Sequence, residues 1–190
     1  GRGEESDPFT PHSPYVATKA GMELFAQAYH HAYSFPTTVL RFSNVYGPGS
    51  HRKQSVVAKF IRAHLRGDPI EVYGDGHQTR DVLYIDDLLD GIQTAVRADP
   101  DYRVVQFATG FSTSVIDLAR RIQPEAAKIQ HSDAIQGEIL DSRYVAQKAF
   151  DEFGWKAKTS LADGLAQTIQ WFSNIQETHP EVLFAEGRDE

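Results

Sequence analysis

Thr37-Thr38-Val39-Leu40-Arg41-Phe42-Ser43-Asn44-Val45-Tyr46-Gly47-Pro48-Gly49 is a β-branched, apolar run that stops abruptly in turn residues. Val, Thr and Phe suit pleated backbone, and Gly-Pro-Gly cannot continue it. The run predicts a buried strand over 37–42, and its flanks decide what kind of sheet it belongs to. Upstream, from Tyr15 to Tyr33, small and apolar residues recur at helical spacing: Ala17, Ala20, Leu24 and Ala28 on one stripe, Phe25, Tyr29 and Ala32 on another. This predicts a long helix with two buried stripes, one able to face a partner subunit. Downstream, a helix over Gln54–Arg66 stops at Gly67 and Pro69, and a short strand over Ile70–Tyr73 closes in Gly74-Asp75-Gly76.

The alternation continues. A short strand is predicted over Asp81–Ile85, then a helix over Asp87–Ala98 with Asp86 as its N-cap, then a strand over Val104–Ala108 ended by Gly110. Helices over Ser114–Ile122, Val145–Phe153 and Leu161–Ile175, with a strand over Lys128–His131, complete the pattern. Residues 1–14 read as a loop, and the tail from Gln176 as polar and frayed. Strands alternating with helices indicate an α/β protein. Only the strands near Thr37 and Val104 read as buried on both faces, so a partner sheet is expected to be missing.

Composition bounds the function. With 190 residues, 41% hydrophobic and 24% charged, the chain reads as an ordinary soluble globular protein. A formal charge of -7 argues against nonspecific nucleic-acid binding, which needs a Lys- and Arg-rich surface, yet a few placed Arg side chains still suffice for an anionic small ligand. The absence of Cys excludes disulfides, thiolate nucleophiles and Cys-based metal sites, with the cytoplasm as default compartment. The apolar runs are too short to span a bilayer, so no membrane association is expected. The histidines, including His12, His51 and the His30-His31 pair, lack ligand spacing with carboxylates, and no metal site is expected. Trp155 and Trp171 read as core anchors.

The chemistry begins at Tyr15-Val16-Ala17-Thr18-Lys19, where a phenol and an ammonium four residues apart share one helix face. A cation one turn away favours the phenolate form of a phenol, which lets it serve as a general base, and the ammonium can also hold a ribose hydroxyl. Such pairs are common on helices by chance, so the context carries the weight. Ser13-Pro14 precede the pair, a long helix follows, and then comes Leu40-Arg41-Phe42-Ser43-Asn44-Val45-Tyr46-Gly47-Pro48. Further on stand Tyr73-Gly74-Asp75-Gly76-His77-Gln78-Thr79-Arg80-Asp81-Val82-Leu83-Tyr84-Ile85-Asp86-Asp87-Leu88, Gly137-Glu138, Lys148-Ala149, Phe153-Gly154-Trp155, Gly164-Leu165 and Trp171. In this order, over nearly the whole chain, these motifs resemble the C-terminal part of the extended short-chain dehydrogenase family of NAD-dependent sugar-nucleotide epimerases and dehydratases.

The resemblance implies the late strands of a Rossmann-type doubly wound sheet, residues 1–50 and 86–112, joined to a small α/β substrate-binding lobe, residues 51–85 and 113–175, with a tail at 176–190. It implies Tyr15 as catalytic acid/base and Lys19 as its partner on the nicotinamide ribose, with Phe42 and Ser43 near the nicotinamide of NAD. Asn44 and Arg80 would hold the diphosphate of a nucleotide sugar, Arg80 alternatively pairing with Asp81 or Asp86. Val56, Val72 and Tyr73 would line the base pocket, where plain core packing is an equal reading. Glu138 matches the acidic position that meets the nucleotide ribose. Family members commonly carry an Arg three residues earlier, where this chain has Ile135, so one phosphate contact is expected to be lost unless Arg143 or another cation replaces it.

No Gly-x-x-Gly-x-x-Gly loop follows an early strand, so the cofactor-binding half is expected to lie outside this chain, which alone would be inactive, would expose apolar surface on the strand near Thr37 and on its first helix, and would be prone to self-association. The reaction expected is 4-epimerisation of a UDP-hexose by transient hydride transfer. A 4,6-dehydratase, a decarboxylase and a noncatalytic nucleotide-sugar-binding or assembly module are the alternatives. In relatives the Tyr-bearing helix pairs with its copy, so a homodimer through Tyr15–Tyr33 is expected.

Overall fold

The computed structural model describes residues 2–11, 13–98, 101–137 and 140–183. Along the chain run β1 (Arg2–Gly3), α1 (Pro14–Tyr33), β2 (Thr37–Phe42), β3 (Asn44–Tyr46), α2 (Val56–Arg66), β4 (Ile70–Tyr73), β5 (Thr79–Arg80), β6 (Val82–Tyr84) and α3 (Ile85–Arg97). There follow β7 (Tyr102–Phe107), β8 (Thr113–Ser114), α4 (Val115–Ile122), β9 (Ile129–Ser132), β10 (Arg143–Tyr144), α5 (Gln147–Phe153), α6 (Leu161–Thr178) and α7 (Pro180–Leu183). β2 lies parallel to β7 with Thr37 opposite Tyr102 and Phe42 opposite Phe107. β3 lies parallel to β6, β4 to β9 and β1 to β10, and among the described residues only the short β5–β8 pair is antiparallel. The molecule is therefore α/β with parallel pairing, the arrangement that helical crossovers impose.

Local chemistry sets the helix ends. Ser13, Ser114 and Ser160 each accept a backbone N–H of the first turn, from Val16, Asp117 and Asp163, while Pro14 opens α1 where its missing N–H costs nothing. α2 ends at Gly67 with φ 77°, a left-handed closure that only Gly adopts cheaply. Asp86 does not cap α3 as expected. β6 runs straight into the helix with Tyr84 at the cap, which leaves Asp86 and Asp87 in the first turn, where negative charge complements the helix dipole.

Among the described residues two hydrophobic clusters form. One gathers Tyr46, Phe60, Ile61, Val72, Leu118 and Phe172 from β3, α2, β4, α4 and α6. The other joins Leu83, Leu88, Val105, Phe107, Ala149 and Trp155. Each fully buried Phe or Ile contributes about 1.5–3 kcal/mol. Trp155 stands edge-on to Phe107 at 4.6 Å, and its indole N–H donates to Asp87 O at 3.0 Å. The Asp87 carboxylate accepts in turn from Lys158 N and Thr159 N, fastening the segment after α5 to α3. Trp171 is half-buried, flanked by Phe172 and the His51 ring.

Several expectations are corrected. Leu183 is buried in the first cluster, so the tail to that point packs instead of fraying: the apolar face of α6 runs on into α7. The opening segment contributes β1, and α5 begins at Gln147 because Val145 is still held in extended backbone by Gly3 O. By contrast, β2 is half-buried and α1 has no buried residue, so both leave apolar surface facing outward, as expected of elements whose covering sheet is missing. α1 docks through its His30 ring, 5.3 Å from that of Tyr102, and through an ion pair: Arg41 on β2 meets Glu23 with both Nε, at 3.0 Å, and Nη2, at 2.5 Å, and its guanidinium is pushed further up, first by that bond. Such a paired fork fixes orientation as well as energy.

A Cβ built on Gly164 of α6 would fall onto the Tyr46 hydroxyl, whereas one built on Gly21 of α1 meets nothing within 4 Å. Ala gains about 1 kcal/mol of helix propensity over Gly, but overpacking costs roughly 1–3 kcal/mol. Gly164→Ala should therefore lower the midpoint of urea unfolding, while Gly21→Ala should raise it slightly.

Candidate functional site

The chain changes partner at one peptide. Ser43 N donates to Phe107 O of β7 at 3.1 Å, and the next residue, Asn44, donates to Asp81 O beside β6 at 3.0 Å. Strands that diverge in this way open a crevice at their C-terminal ends, the place where α/β folds hold ligands. Asp81 sits at the split and is fully buried. Its Oδ1 accepts from Ser43 Oγ at 2.9 Å, Thr109 N at 3.1 Å and Thr109 Oγ1 at 2.9 Å, and its Oδ2 from Gly110 N at 2.9 Å. Four donors on one carboxylate compensate a buried charge that would otherwise be costly.

Around this centre the expected residues fall into two groups. Tyr15, Lys19, Phe42 and Ser43 line one cavity of about 830 Å³, to which Tyr144 also contributes. The Lys19 ammonium lies 5.4 Å from the centre of the Tyr15 ring, and the ring is exposed. Asn44, Val56, Tyr73 and Arg80 line a second cavity of about 500 Å³. Tyr15 and Lys19 thus share no single cavity with Arg80; the two spaces border each other at the Ser43–Asn44 peptide. Arg80 Nη1 donates to Thr79 O at 2.8 Å, and Asn44 Nδ2 reaches Asp81 O at 3.4 Å. The Tyr73 hydroxyl donates to Glu71 at 3.2 Å, and the charge of Glu71 pushes that phenol above its ordinary range.

Val72 does not line either cavity. It is fully buried in the first cluster, because alternation along β4 turns it inward while Tyr73 faces the cavity. Glu138 lies outside the described residues, as does His12. Among the described residues, no three His, Cys, Asp or Glu side chains converge as a metal-holding set, and no helix is long and apolar enough to cross a membrane. Sequence reasoning overlooked Asp81 as a buried anchor and Arg41 as the strap of α1. The available signal was Asp81 between two β segments with Ser43 and Thr109 near strand ends, which points to a buried acceptor only once register is known.

Asp81→Asn would present an N–H₂ to at least one fixed backbone donor, Thr109 N or Gly110 N, stranding it in the interior at about 1–3 kcal/mol each. Chemical denaturation should show a loss of at least ~2 kcal/mol for this variant.

The comparisons with known proteins follow the same lines. Residues 1–108 match the model of the NAD dependent epimerase/dehydratase family. The chain is 31% identical over 196 residues to a dTDP-glucose 4,6-dehydratase of Xanthomonas campestris pv. campestris, covering 96% of this chain and 56% of that protein. It is 31% identical over 166 residues to a UDP-glucuronate 4-epimerase of Thermodesulfobacterium geofontis, covering 85% of this chain and 51% of that protein. A double mutant of a dTDP-glucose 4,6-dehydratase from Streptomyces venezuelae, solved with NAD bound, superposes with a TM-score of 0.88 at 28% identity, over 96% of this chain and 57% of that one. This chain spans little more than half the length of these relatives. A match over more than half its residues, on a parallel α/β frame whose strands part at Ser43, places the chain in the NAD-dependent epimerase/dehydratase family.

Proposed function

We propose that the chain forms the substrate-facing part of an NAD-dependent enzyme acting on a nucleotide-linked sugar, with 4-epimerisation of a UDP-hexose as the net reaction. The observation that supports it is the segregation around Asp81: a phenol and an ammonium border one cavity, while an amide and a guanidinium border the next. A nucleotide sugar has the same division, a neutral sugar at one end and a diphosphate with its nucleoside at the other. In this reading residues 1–50 and 86–112 form the cofactor side and residues 51–85 and 113–175 the substrate lobe.

The residues present suit the nicotinamide-ribose end of NAD, since Tyr15, Lys19, Phe42 and Ser43 line one cavity with the ammonium against the phenol ring. NAD, when bound, supplies the hydride acceptor that later returns the hydride. Tyr15 takes the proton from the sugar hydroxyl as that carbon is oxidised and gives it back on reduction. Lys19 stabilises the negative charge developing on the Tyr15 oxygen and holds a ribose hydroxyl. Phe42 and Ser43 shape the nicotinamide pocket and exclude water from it. Asn44 and Arg80 grip the diphosphate, a task for which a guanidinium fork is better shaped than an ammonium. Val56 and Tyr73 flank the base, and Glu138 is assigned to the nucleotide ribose by its sequence position.

A second reading, 4,6-dehydration of a dTDP- or UDP-hexose, is favoured by the 96% coverage in the comparison with a 4,6-dehydratase. Both reactions begin with the same proton and hydride removal, so the roles of Tyr15 and Lys19 are unchanged. We also propose that a second copy packs against α1, whose exposed Phe25, Tyr29 and Tyr33 present an apolar stripe with Phe35 beside them.

Calorimetric titration of the chain with UDP-, dTDP- and GDP-sugars and with NAD tests the assignment. Binding of a nucleotide sugar is expected, and its absence for all three bases would sink the reading. In the enzyme that contains this chain, Tyr15→Phe should cut turnover roughly 10²- to 10⁴-fold and leave substrate affinity nearly unchanged. Analytical ultracentrifugation should show self-association that Phe25→Glu and Tyr29→Glu together abolish; a monomeric parent chain would remove the dimer proposal alone.

A further inference from the structure

Arg62 stands on α2, half-buried, and lines the same cavity as Asn44 and Arg80. One of its nitrogens, Nη1, donates to two backbone carbonyls of the preceding loop, His51 O and Lys53 O, the latter at 2.9 Å. Among the described residues its Nε and Nη2 have no hydrogen-bond partner, and no carboxylate neutralises it. The carboxylates of Asp68 and Glu71 also line the cavity, but neither is within ion-pair distance of Arg62, and the charge that acts on it is of the same sign, Arg66 one helical turn on. Burial first, and then Arg66, hold the guanidinium below its ordinary value. A half-buried cation without a counter-charge is an expense in the ligand-free protein that an arriving anion removes. The loop carbonyls hold one edge of the planar fork in place, so the opposite edge is preorganised for a bidentate oxyanion.

We propose that Arg62 is a second phosphate-binding residue of the nucleotide cavity, acting beside Arg80 on the diphosphate and taking the place of the cation that Ile135 does not provide. This rests on the reading of the cavity as a nucleotide-sugar site. The anion is the diphosphate and not a sugar carboxylate, because Arg62 belongs to the cavity of Asn44 and Arg80, whereas the sugar end is assigned to the separate cavity of Tyr15 and Lys19. Ile135 itself is about half exposed, an apolar side chain with no charge to offer.

The test is calorimetry on the chain with UDP-glucose, dTDP-glucose and UDP-glucuronate, comparing the parent with Arg62→Met and Arg62→Lys at two salt concentrations. Arg62→Met keeps the length and apolar stem of the side chain and removes the charge. It should weaken the preferred nucleotide sugar about 10- to 100-fold and flatten the salt dependence, with Arg62→Lys recovering part of the affinity. UDP-glucose and UDP-glucuronate should lose equally; a loss confined to UDP-glucuronate would assign Arg62 to the sugar carboxylate and overturn the proposal. A purely structural role, holding the loop through its carbonyls, would lower the Tm of the ligand-free variant and leave affinity and salt dependence unmoved, which also overturns it. Parent protein that binds no nucleotide sugar would instead defeat the functional reading on which it stands.

Discussion

The Asp81 carboxylate is the interaction on which the arrangement depends. It ties the end of β2, through Ser43, to the turn after β7, through Thr109 and Gly110, and its own backbone fixes Asn44 and is fixed by Ser142. The residues at and beside the border between the two cavities are its neighbours in sequence or its hydrogen-bond partners: Arg80 precedes it, Ser43 donates to its carboxylate, and Asn44 N donates to its carbonyl. A charge buried so completely survives only because its donors are fixed, and the same fixation aligns the side chains around it. Structural economy and site geometry are here one constraint.

Around that buckle the two hydrophobic clusters play different parts. The larger one, built on α2, α4 and α6, gives β4 and α2 a firm backing, so the cavity wall that carries Val56, Arg62 and Tyr73 rests on close-packed side chains. The smaller one fastens α3 and the Trp155 segment to β7 and sets where Thr109 and Gly110 emerge. α1 is different in kind, since it contributes no buried residue and meets β2 through a salt bridge.

The elements were legible in the sequence wherever periodicity and punctuation agreed. Thr37–Phe42, Ile70–Tyr73 and the Ser-capped helices fall where their Gly, Pro and Ser signals put them, because those residues act locally. The apolar patterning of β2 and α1 was legible too, and so was its exposure in this chain. Apolar patterning records what a surface can pack against, and the neighbours that would cover these faces are not among the described residues. The site was legible as motifs, from Tyr15 to Arg80, but not as geometry. That Val72 turns inward while Tyr73 faces a cavity depends on strand register, and that Asp81 is a hub depends on which strands diverge. Neither can be computed from spacing along one chain.

One consequence lies in how α1 is attached. An element held by Arg41 and Glu23, with its apolar residues outward, sits at the low end of the local stability range, so its amide hydrogens should exchange with solvent well before those of α4 or α6. The phenol assigned to proton transfer therefore rides on a helix that buries none of its residues. Whatever settles against that helix also freezes its motion, and the conformational entropy lost in doing so becomes part of the free energy of assembling a working site.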